Sequence, residues 1–393
     1  MLYLQDSSSY CACSVLVVAG ALALSFGPAH PAAHGVLRCV LFLRSEWITG
    51  SSMTLGLLHR GTEKLMELRH PMQTIGYMDR LDYVSMLSTE VCYVECLEEV
   101  LHVDVAMEGQ LIRVLLQEVT RVANHLLNIA CHAGDVGCLV ALLWLFEDRE
   151  LLHELLATWS GARMHASSVV PGGTRCSIRS TTLVTCTELL QHLSSRMDVL
   201  LATVMVHRVW AARLSGVGVL TVGVDGSGAS GVLLRSAGAS WDLRLIAPPQ
   251  AYSCTVLSVP VGTYGDSMDR VLIRMLELLT SSSVVIQLTA LLSTVHAGTT
   301  TSYASMGLQS VLAVFMAYRM TATTSQGIHA VEGPKGELHI SLTVTNSSMW
   351  RCRVRPADLG HLLGLHALML GTSLADAVML IGTVDVVFGA VDL

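Results

Sequence analysis

Between Gln110 and Asp135 the polar residues Gln110, Arg113, Gln117, Arg121, Asn124, Asn128, His132 and Asp135 recur at spacings of 3, 4, 4, 3, 4, 4 and 3. Residues three and four apart share a helix face, so the periodicity predicts one long α-helix carrying a single polar stripe. At 1.5 Å per residue the stripe runs roughly 37 Å, and Gly134 and Gly137 stand where they would end it. Spacing alone does not separate an ordinary solvated face from a functional one.

A second feature is the charge packed into His59 to Ser85. Charged residues make up 14% of the chain, yet Arg60, Glu63, Lys64, Glu67, Arg69, Asp79, Arg80 and Asp82 all fall in this stretch. Only two lysines occur, Lys64 and Lys335, and we read both as held in place. A charge run reads as a solvated, salt-bridged face. The tight DRLDY sequence, which sets Tyr83 beside Asp82, reads instead as a site, because charge beside apolar helix must be paired or functional.

With 393 residues the chain can bury a large core. At 52% apolar residues and a mean hydropathy of +0.54 it is unusually apolar for a free soluble enzyme, which points to surfaces covered by partners or membrane. A net charge of -7 without a basic stripe argues against nucleic-acid binding. Eleven scattered cysteines form no disulfide framework and read as free thiols in a reducing compartment. The apolar run from Cys11 to Phe26 is shorter than the ~20 residues of a spanning helix, and no targeting segment is visible.

The loop FGPAHPAAHGVLR contains His30 and His34. Their i, i+4 spacing would suit a metal on a helix, but Pro28 and Pro31 forbid the helix, so no metal site is assigned. Helices are expected over Tyr83–Val100, Gln110–His132, Leu139–Ser160, Glu188–Arg213, Asp266–Leu292 and Gly307–Met320. The apolar stretch from Ser281 to Tyr318 reads as helix buried by protein. Glycine-rich Gly216–Arg244 reads as short strands and turns, Gly327–Val354 as a hairpin, and the end as two short helices and an apolar strand. A G-x-G-x-x-G at Gly226, Gly228 and Gly231 is no dinucleotide site, because VLLRSAG is too short before its glycine for the phosphate-binding helix and no acidic residue stands about 20 positions on.

The motifs FGPAHPAAHGVLR, LLHRGTEKLME, DRLDYVSM, IRVLLQEVTRVANHLL, WLFEDRE, SGARMHA, PGG, LLRSAGASWDLR, VPVGTYGDSMDR, EGPKGE and IGTVDVVFGAVD stand in that order. Together they closely resemble one family, the quinone-site (49-kilodalton, D-type) subunit of respiratory complex I. That family is similar to the large subunit of nickel-iron hydrogenases. The resemblance implies an α+β fold, a central helix bundle with β-containing parts at both ends. Its parts are an N-terminal β-rich part (1–58), the bundle's first half (59–215), a glycine-rich β/turn insertion (216–265), the bundle's second half (266–325) and a C-terminal hairpin with short helices (326–393). Hydrogenases hold their metal in two C-x-x-C pairs. None occurs here, Cys92 and Cys96 being one residue too far apart.

By the same resemblance Tyr83 and His34 are the donors on opposite sides of a quinone headgroup, with His30 and Met164 beside it and Asp135 the partner of His34. A phenol of pKa near 10 and an imidazole near 6.5 suit oxygens that gain charge and then protons. Arg60, Arg80 and His165 match positions near the terminal [4Fe-4S] cluster, which a neighbouring small subunit carries; positive charge there raises a cluster's potential. From the residues alone, His34 also reads as a satisfied loop histidine, Tyr83 as a core tyrosine, Asp135 as a helix-end cap, the arginines as partners of Glu63, Asp79 or Asp82, and Met164 as packing.

The chain therefore reads as a core subunit of NADH:quinone oxidoreductase, inert alone, that couples ubiquinone reduction to proton translocation. NADH and FMN belong to other subunits. Its expected partners are the cluster-bearing small subunit and a membrane-arm subunit lining the quinone channel. Its expected place is the matrix side of the mitochondrial inner membrane, or the cytoplasmic face of a bacterial membrane. A non-catalytic scaffold subunit and a membrane-bound hydrogenase large subunit remain the alternatives. Gly76, Val170 and Tyr264 depart from the family pattern, which expects proline, arginine and arginine, and the segment around Val295 to Thr301 is shortened.

Overall fold

The computed structural model describes residues 15–18, 21–28, 35–175, 178–221, 228–248, 250–298, 325–345 and 348–393. Strands β1 (Val15–Val18), β2 (Ala21–Phe26), β3 (Arg38–Arg44) and β4 (Trp47–Thr54) form an antiparallel meander in chain order. Along β3, Cys39, Leu41 and Leu43 turn inward and alternate with more exposed residues, the period of a sheet covered on one face. Helices α1 (Thr62–Glu67) and α2 (Pro71–Met78) carry the charged stretch. Pro71 opens α2, where its missing N–H leaves no bond unmade.

The long helices follow as α3 (Met86–Leu101), α4 (Met107–Val136) and α5 (Leu139–Ser160). Gly137 and Gly161 end the last two in the left-handed conformation that spares glycine a Cβ clash. After the small hairpin of β5 (Val169–Val170) and β6 (Gly173–Thr174) comes α6 (Ser180–Val206). The helix expected at Glu188 thus begins earlier, and it breaks at His207 before α7 (Arg208–Leu214).

Glycine-rich 216–244 departs from expectation. Among its described residues there is no strand; α8 (Gly231–Ser236) and α9 (Leu243–Ile246) stand there instead. Valine and glycine favour strand and turn locally, but the tertiary demand on Arg235 and Arg244, both buried among carboxylates, overrides that preference. A 3-10 turn, Gln250–Cys254, leads towards α10 (Ser267–Gly298). Among the described residues α10 alone is long and apolar enough to cross a membrane. It packs against α4 and α6 inside the bundle, as expected of the described part of the 281–318 stretch. The helix expected over Gly307–Met320 lies outside the described residues.

The C-terminal part holds a three-stranded antiparallel sheet of β7 (Ser325–Glu332), β8 (Glu337–Thr345) and β9 (Ser348–Arg355), one strand more than a hairpin. Helices α11 (Ala357–Met369), α12 (Leu374–Val384) and α13 (Phe388–Val391) follow. The apolar strand expected at the end is therefore α13, a single helical turn whose Phe388 ring is buried against Gly35.

Three apolar clusters explain the α+β arrangement. One fills the bundle of α4, α5, α6 and α10; the second joins α3 to the C-terminal sheet; the third joins the N-terminal sheet to α11, α12 and α13. Each sheet thus buries one face on helices. On α5, Leu139, Val140, Leu143 and Trp144 remain exposed as a row.

A close backbone approach lies where α8 meets the β7–β8 turn. Gly231 has φ +59°, and a Cβ there would stand 2.5 Å from Gly336 Cα and 2.7 Å from Lys335 O. Gly231→Val is expected to destabilise the protein by about 2 to 3 kcal/mol, because backbone on both sides must move. Thermal unfolding of the assembled complex measures the loss.

Candidate functional site

The polar stripe of α4 is not a wet face. Arg113, Gln117, Arg121, Asn124, Asn128 and His132 are all buried. Buried polar groups must be bonded, and Arg113, Gln117, Arg121, Asn124 and Asn128 bond to α3 and to the loops that surround one end of the bundle. Arg113 donates two bonds to Glu98, at 2.8 and 2.5 Å, and one to Val170 O. Gln117 and Arg121 donate to the backbone carbonyls of Glu332 and Gly333, in EGPKGE. Asn124 donates to Asp385 at 3.0 Å and Asn128 to Gly382 O at 3.0 Å, in IGTVDVV.

The first of those loops delivers Lys335 to DRLDY. Its ammonium, fully buried, donates to both carboxylate oxygens of Asp82, at 2.6 and 2.7 Å. Asp82 also accepts from the Val84 and Ser85 N–H groups, which fixes the turn before α3. Against the burial that opposes its charge, the carboxylates of Asp82, Asp358 and Asp385 hold Lys335 above its ordinary pKa. The other lysine, Lys64, is exposed and pairs with Glu67 one turn away, so only Lys335 is pinned in the interior.

With Asp82 pinned, Tyr83 faces the other way. Its side chain is 38% exposed and lines a recess of about 150 Å³ with Val84, Leu127, Asn128, Cys131 and Asp385. Burial pushes the phenol above its ordinary pKa, with Asp82 and Asp358 adding to the rise and Lys335 and Arg60 opposing it. Asp135 is half-buried one helical turn beyond Cys131. Burial raises the Cys131 thiol, and Asp135 and Asp385 raise it further; Asp385 lines the recess and Asp135 does not. His30 and His34 lie outside the described residues. Gly35, the next residue, sits against the Phe388 ring, and Gly389 abuts the Tyr83 ring. Gly35 and the tyrosine are thereby brought to one turn of helix.

Arg60 and Arg80 stand exposed beside this turn, and their guanidinium groups bond carbonyls. Arg60 donates to Arg80 O at 2.7 Å and Arg80 to Gly76 O at 2.6 Å. The carboxylates offered as their partners are occupied elsewhere: Glu63 pairs with Arg351, Asp82 with Lys335, and Asp79 accepts from the Ser167 N–H and hydroxyl. Two positive charges are left facing outward. Gly76, where proline was expected, is what supplies Arg80 with its acceptor.

His165 and Met164 lie in the loop that Asp79 and Glu90 clamp. Glu90 accepts from Val169 N–H, and burial beside Asp79 pushes its carboxyl well above the usual range. His165 has φ +53° and a buried Nδ1 without a partner. Met164 and His165 line a small separate recess with Met86 and Leu87; Met164 is not among the residues lining the Tyr83 recess. Val170 is buried against α3 and α4, and Tyr264 is exposed. Cys92 and Cys96 are buried, their thiols facing carbonyls of β8. No group of three or more potential metal ligands exists among the described residues.

Behind the site runs a buried ionic lattice. Arg235 meets Glu277 at 2.7 Å and Glu332 at 2.9 Å, Arg244 meets Asp242 at 2.7 Å and Glu118 at 3.3 Å, and His125 meets Glu277 at 3.1 Å. These partners, with Asp358, Asp385 and the pairing of Lys335 with Asp82, are what sequence reading missed. Most lie in separate motifs, IRVLLQEVTRVANHLL, LLRSAGASWDLR, EGPKGE and IGTVDVV, while Glu277 and Asp358 fall in none.

The architecture and site define a class first: an α+β subunit whose helix bundle holds a buried ionic lattice under a recess with a tyrosine at its mouth. Residues 135–393 match the family described as the 49 Kd subunit of respiratory-chain NADH dehydrogenase, and the chain belongs to that family. It is 40% identical to "NADH dehydrogenase [ubiquinone] iron-sulfur protein 2" of Nephroselmis olivacea over 94% of this chain and 96% of the relative. It is likewise 40% identical to the "NADH-ubiquinone oxidoreductase 49 kDa subunit" of Prototheca wickerhamii, over 94% and 96%. With the "NADH-ubiquinone oxidoreductase 49 kDa subunit, mitochondrial" of Neurospora crassa it shares 38% over 94% and 80%. It is thus a core subunit of complex I.

The lattice fixes an acid limit. Burial alone would raise Glu118, but Arg121, Arg244 and the Tyr252 hydroxyl bring it from 4.5 down to about 2. A depressed carboxyl contributes stability that is complete above its unfolded value and lost as pH falls through the folded one. Stability is expected to fall between pH 4.5 and about 2. Glu118→Gln should flatten that limb and cost about 3 to 5 kcal/mol at neutral pH by leaving buried guanidinium groups unmatched, as denaturation at several pH values would report.

Proposed function

We propose that the Tyr83 recess is where quinone is reduced in the assembled complex, with Tyr83 and His34 donating to the two carbonyl oxygens and Asp135 serving His34. The observation that carries this reading is the presentation of Tyr83: a half-exposed phenol at a recess, directly after an aspartate locked to a buried lysine. Apolar Val84, Leu127, Ile381, Val386 and Val387 would take the faces of a flat ring, while Tyr83, Asn128 and Asp385 offer polar contacts. The relatives' names include ubiquinone, which supports it as the substrate.

Reduction adds two electrons and two protons to the ring. A raised phenol keeps its proton until strongly basic oxygen appears beside it, and gives it up only then. His34 would supply the second proton and recover it at neutral pH, assisted by Asp135. Outward-facing Arg60 and Arg80, with His165 in the neighbouring loop, would border the [4Fe-4S] cluster of the adjacent small subunit and stabilise its reduced form. NADH and FMN would be bound by other subunits. His30 and Met164 would serve as outer contacts of the quinone path.

The exposed apolar row on α5 and the chain's hydropathy support burial by other subunits. We assign a membrane-arm subunit to the recess mouth, and place the chain on the matrix side of the mitochondrial inner membrane. The proton-translocating step would begin with the change of charge around His34 and Asp135.

Tyr83→Phe is expected to lower NADH:quinone reduction by about 100-fold while the complex assembles, since one proton donor is lost without loss of packing. Unchanged turnover would favour a scaffold role. Arg80→Met should lower the midpoint potential of the adjoining cluster, read by redox titration; an unchanged potential would remove Arg80 from the cluster's surroundings.

A further inference from the structure

Behind Tyr83 the chain encloses a second cavity, about 30 Å³, lined among others by Asp82, Ser85, Ser88, Lys335 and Asp358. A space of that size holds about two waters, each needing roughly 10 to 15 Å³. Asp358 is buried in the first turn of α11. It accepts a hydrogen bond from the Val387 N–H, and Val387 forms part of the wall of the Tyr83 recess. The Oδ1 atom of Asp358 has no partner. A buried carboxyl oxygen without a donor is costly as an anion and reasonable as a hydroxyl.

The surrounding charges lead to the same conclusion. Lys335 faces three carboxylates from three different elements, Asp82, Asp358 and Asp385, while Arg274 stands near Asp385 and Glu277. Asp82 has Lys335 at 2.6 Å, and Asp385 has Asn124 at 3.0 Å with Lys335 and Arg274 nearby. His361, one turn along α11, is held down to about 4 by burial and is neutral near pH 7. Lys335 gives both of its hydrogen bonds to Asp82, so the Oδ1 atom of Asp358 is left with no cation to meet it. Burial, with Asp82 and Asp385 adding to it against Lys335, pushes Asp358 well above the carboxylate range. Asp358 is also one of the groups whose field reaches the Tyr83 phenol.

We propose that Asp358 is the proton reserve of the site, a carboxylic acid kept behind the recess wall that restores the phenolic proton of Tyr83 after the tyrosine has given its own to quinone. This rests on the reading of Tyr83 as a donor. In the first step the Tyr83 O–H bond breaks as the quinol O–H bond forms. In the second the Asp358 O–H bond breaks and, by way of water passing the recess wall, the Tyr83 O–H bond re-forms. The Asp358 carboxylate then faces Lys335 until a solvent proton returns to it. Asp358 acts through Tyr83 and is a positioning residue for its proton.

The test uses the assembled complex in membrane vesicles, with NADH as donor and a short-chain ubiquinone analogue as acceptor. Asp358→Asn keeps an acceptor for Val387 but carries no transferable proton. Its turnover is expected to fall about tenfold near pH 8 and to approach the native rate near pH 6, where solvent protons serve the phenolate directly. Its solvent isotope effect should rise over the same range, and Asp358→Glu should restore the native profile. A native-like Asp358→Asn at every pH, or a loss that does not vary with pH, overturns the proposal. Should the variant not assemble, infrared difference spectra of the native complex decide. Quinone reduction must transiently bleach a protonated-carboxyl band, and a spectrum without that bleach overturns the proposal. Tyr83→Phe separates the two readings: if it leaves turnover intact, the quinone site itself is wrong. If it stops turnover while Asp358→Asn behaves as native, only the reserve is wrong.

Discussion

The hydrogen bonds that α4 gives to two distant loops are the constraint on which the site depends. Gln117 and Arg121 hold the backbone at 332–333, and Asn124 and Asn128 hold 382–385. Those two loops carry Lys335 and the rim of the Tyr83 recess. A helix is stiff along its axis, so one element sets the spacing of both loops at once. The stripe on α4 acts as a ruler, and the ruler works because it is dry: in water the same amides and guanidinium groups would exchange partners freely.

Burying so many charges is a poor route to stability. A guanidinium or carboxylate taken from water recovers its solvation only with good geometry, and apolar side chains of the same volume often do as well. What the lattice provides here is definition of place. Arg235 meets Glu277 and Glu332, Arg244 meets Asp242 and Glu118, and each contact ties a loop or short helix to the bundle at one register. The glycine-rich segment packs Leu220, Val232 and Leu233 into the core, and Arg235 and Arg244 fix its register.

The sequence disclosed the helices better than the contacts. The period of α4, the glycines that end α4 and α5, and the alternation in β8 are local signals, and all are present in the fold. Whether the stripe was wet or dry was not local, since Asn124 and Asp385 are 261 residues apart. The 216–244 stretch misled because its composition favours strands while its two arginines had distant appointments. Tyr83 and Asp82 were legible through DRLDY, but Lys335 as the partner of Asp82 was not. Asp358, following Pro356 at a helix start, looks like an ordinary first-turn acid and gives no sign of its burial.

The contact of Gly389 on the Tyr83 ring joins positions about 300 residues apart. At about 5 to 20 residues per second, a translating ribosome would take roughly 15 to 60 seconds to go from one to the other. Throughout that interval Asn124 and Asn128 lack their acceptors, Lys335 arrives late to Asp82, and Tyr83 has no lid. The nascent chain must be sheltered while its most polar helix waits, so the chemistry of this site is the last thing the growing polypeptide acquires.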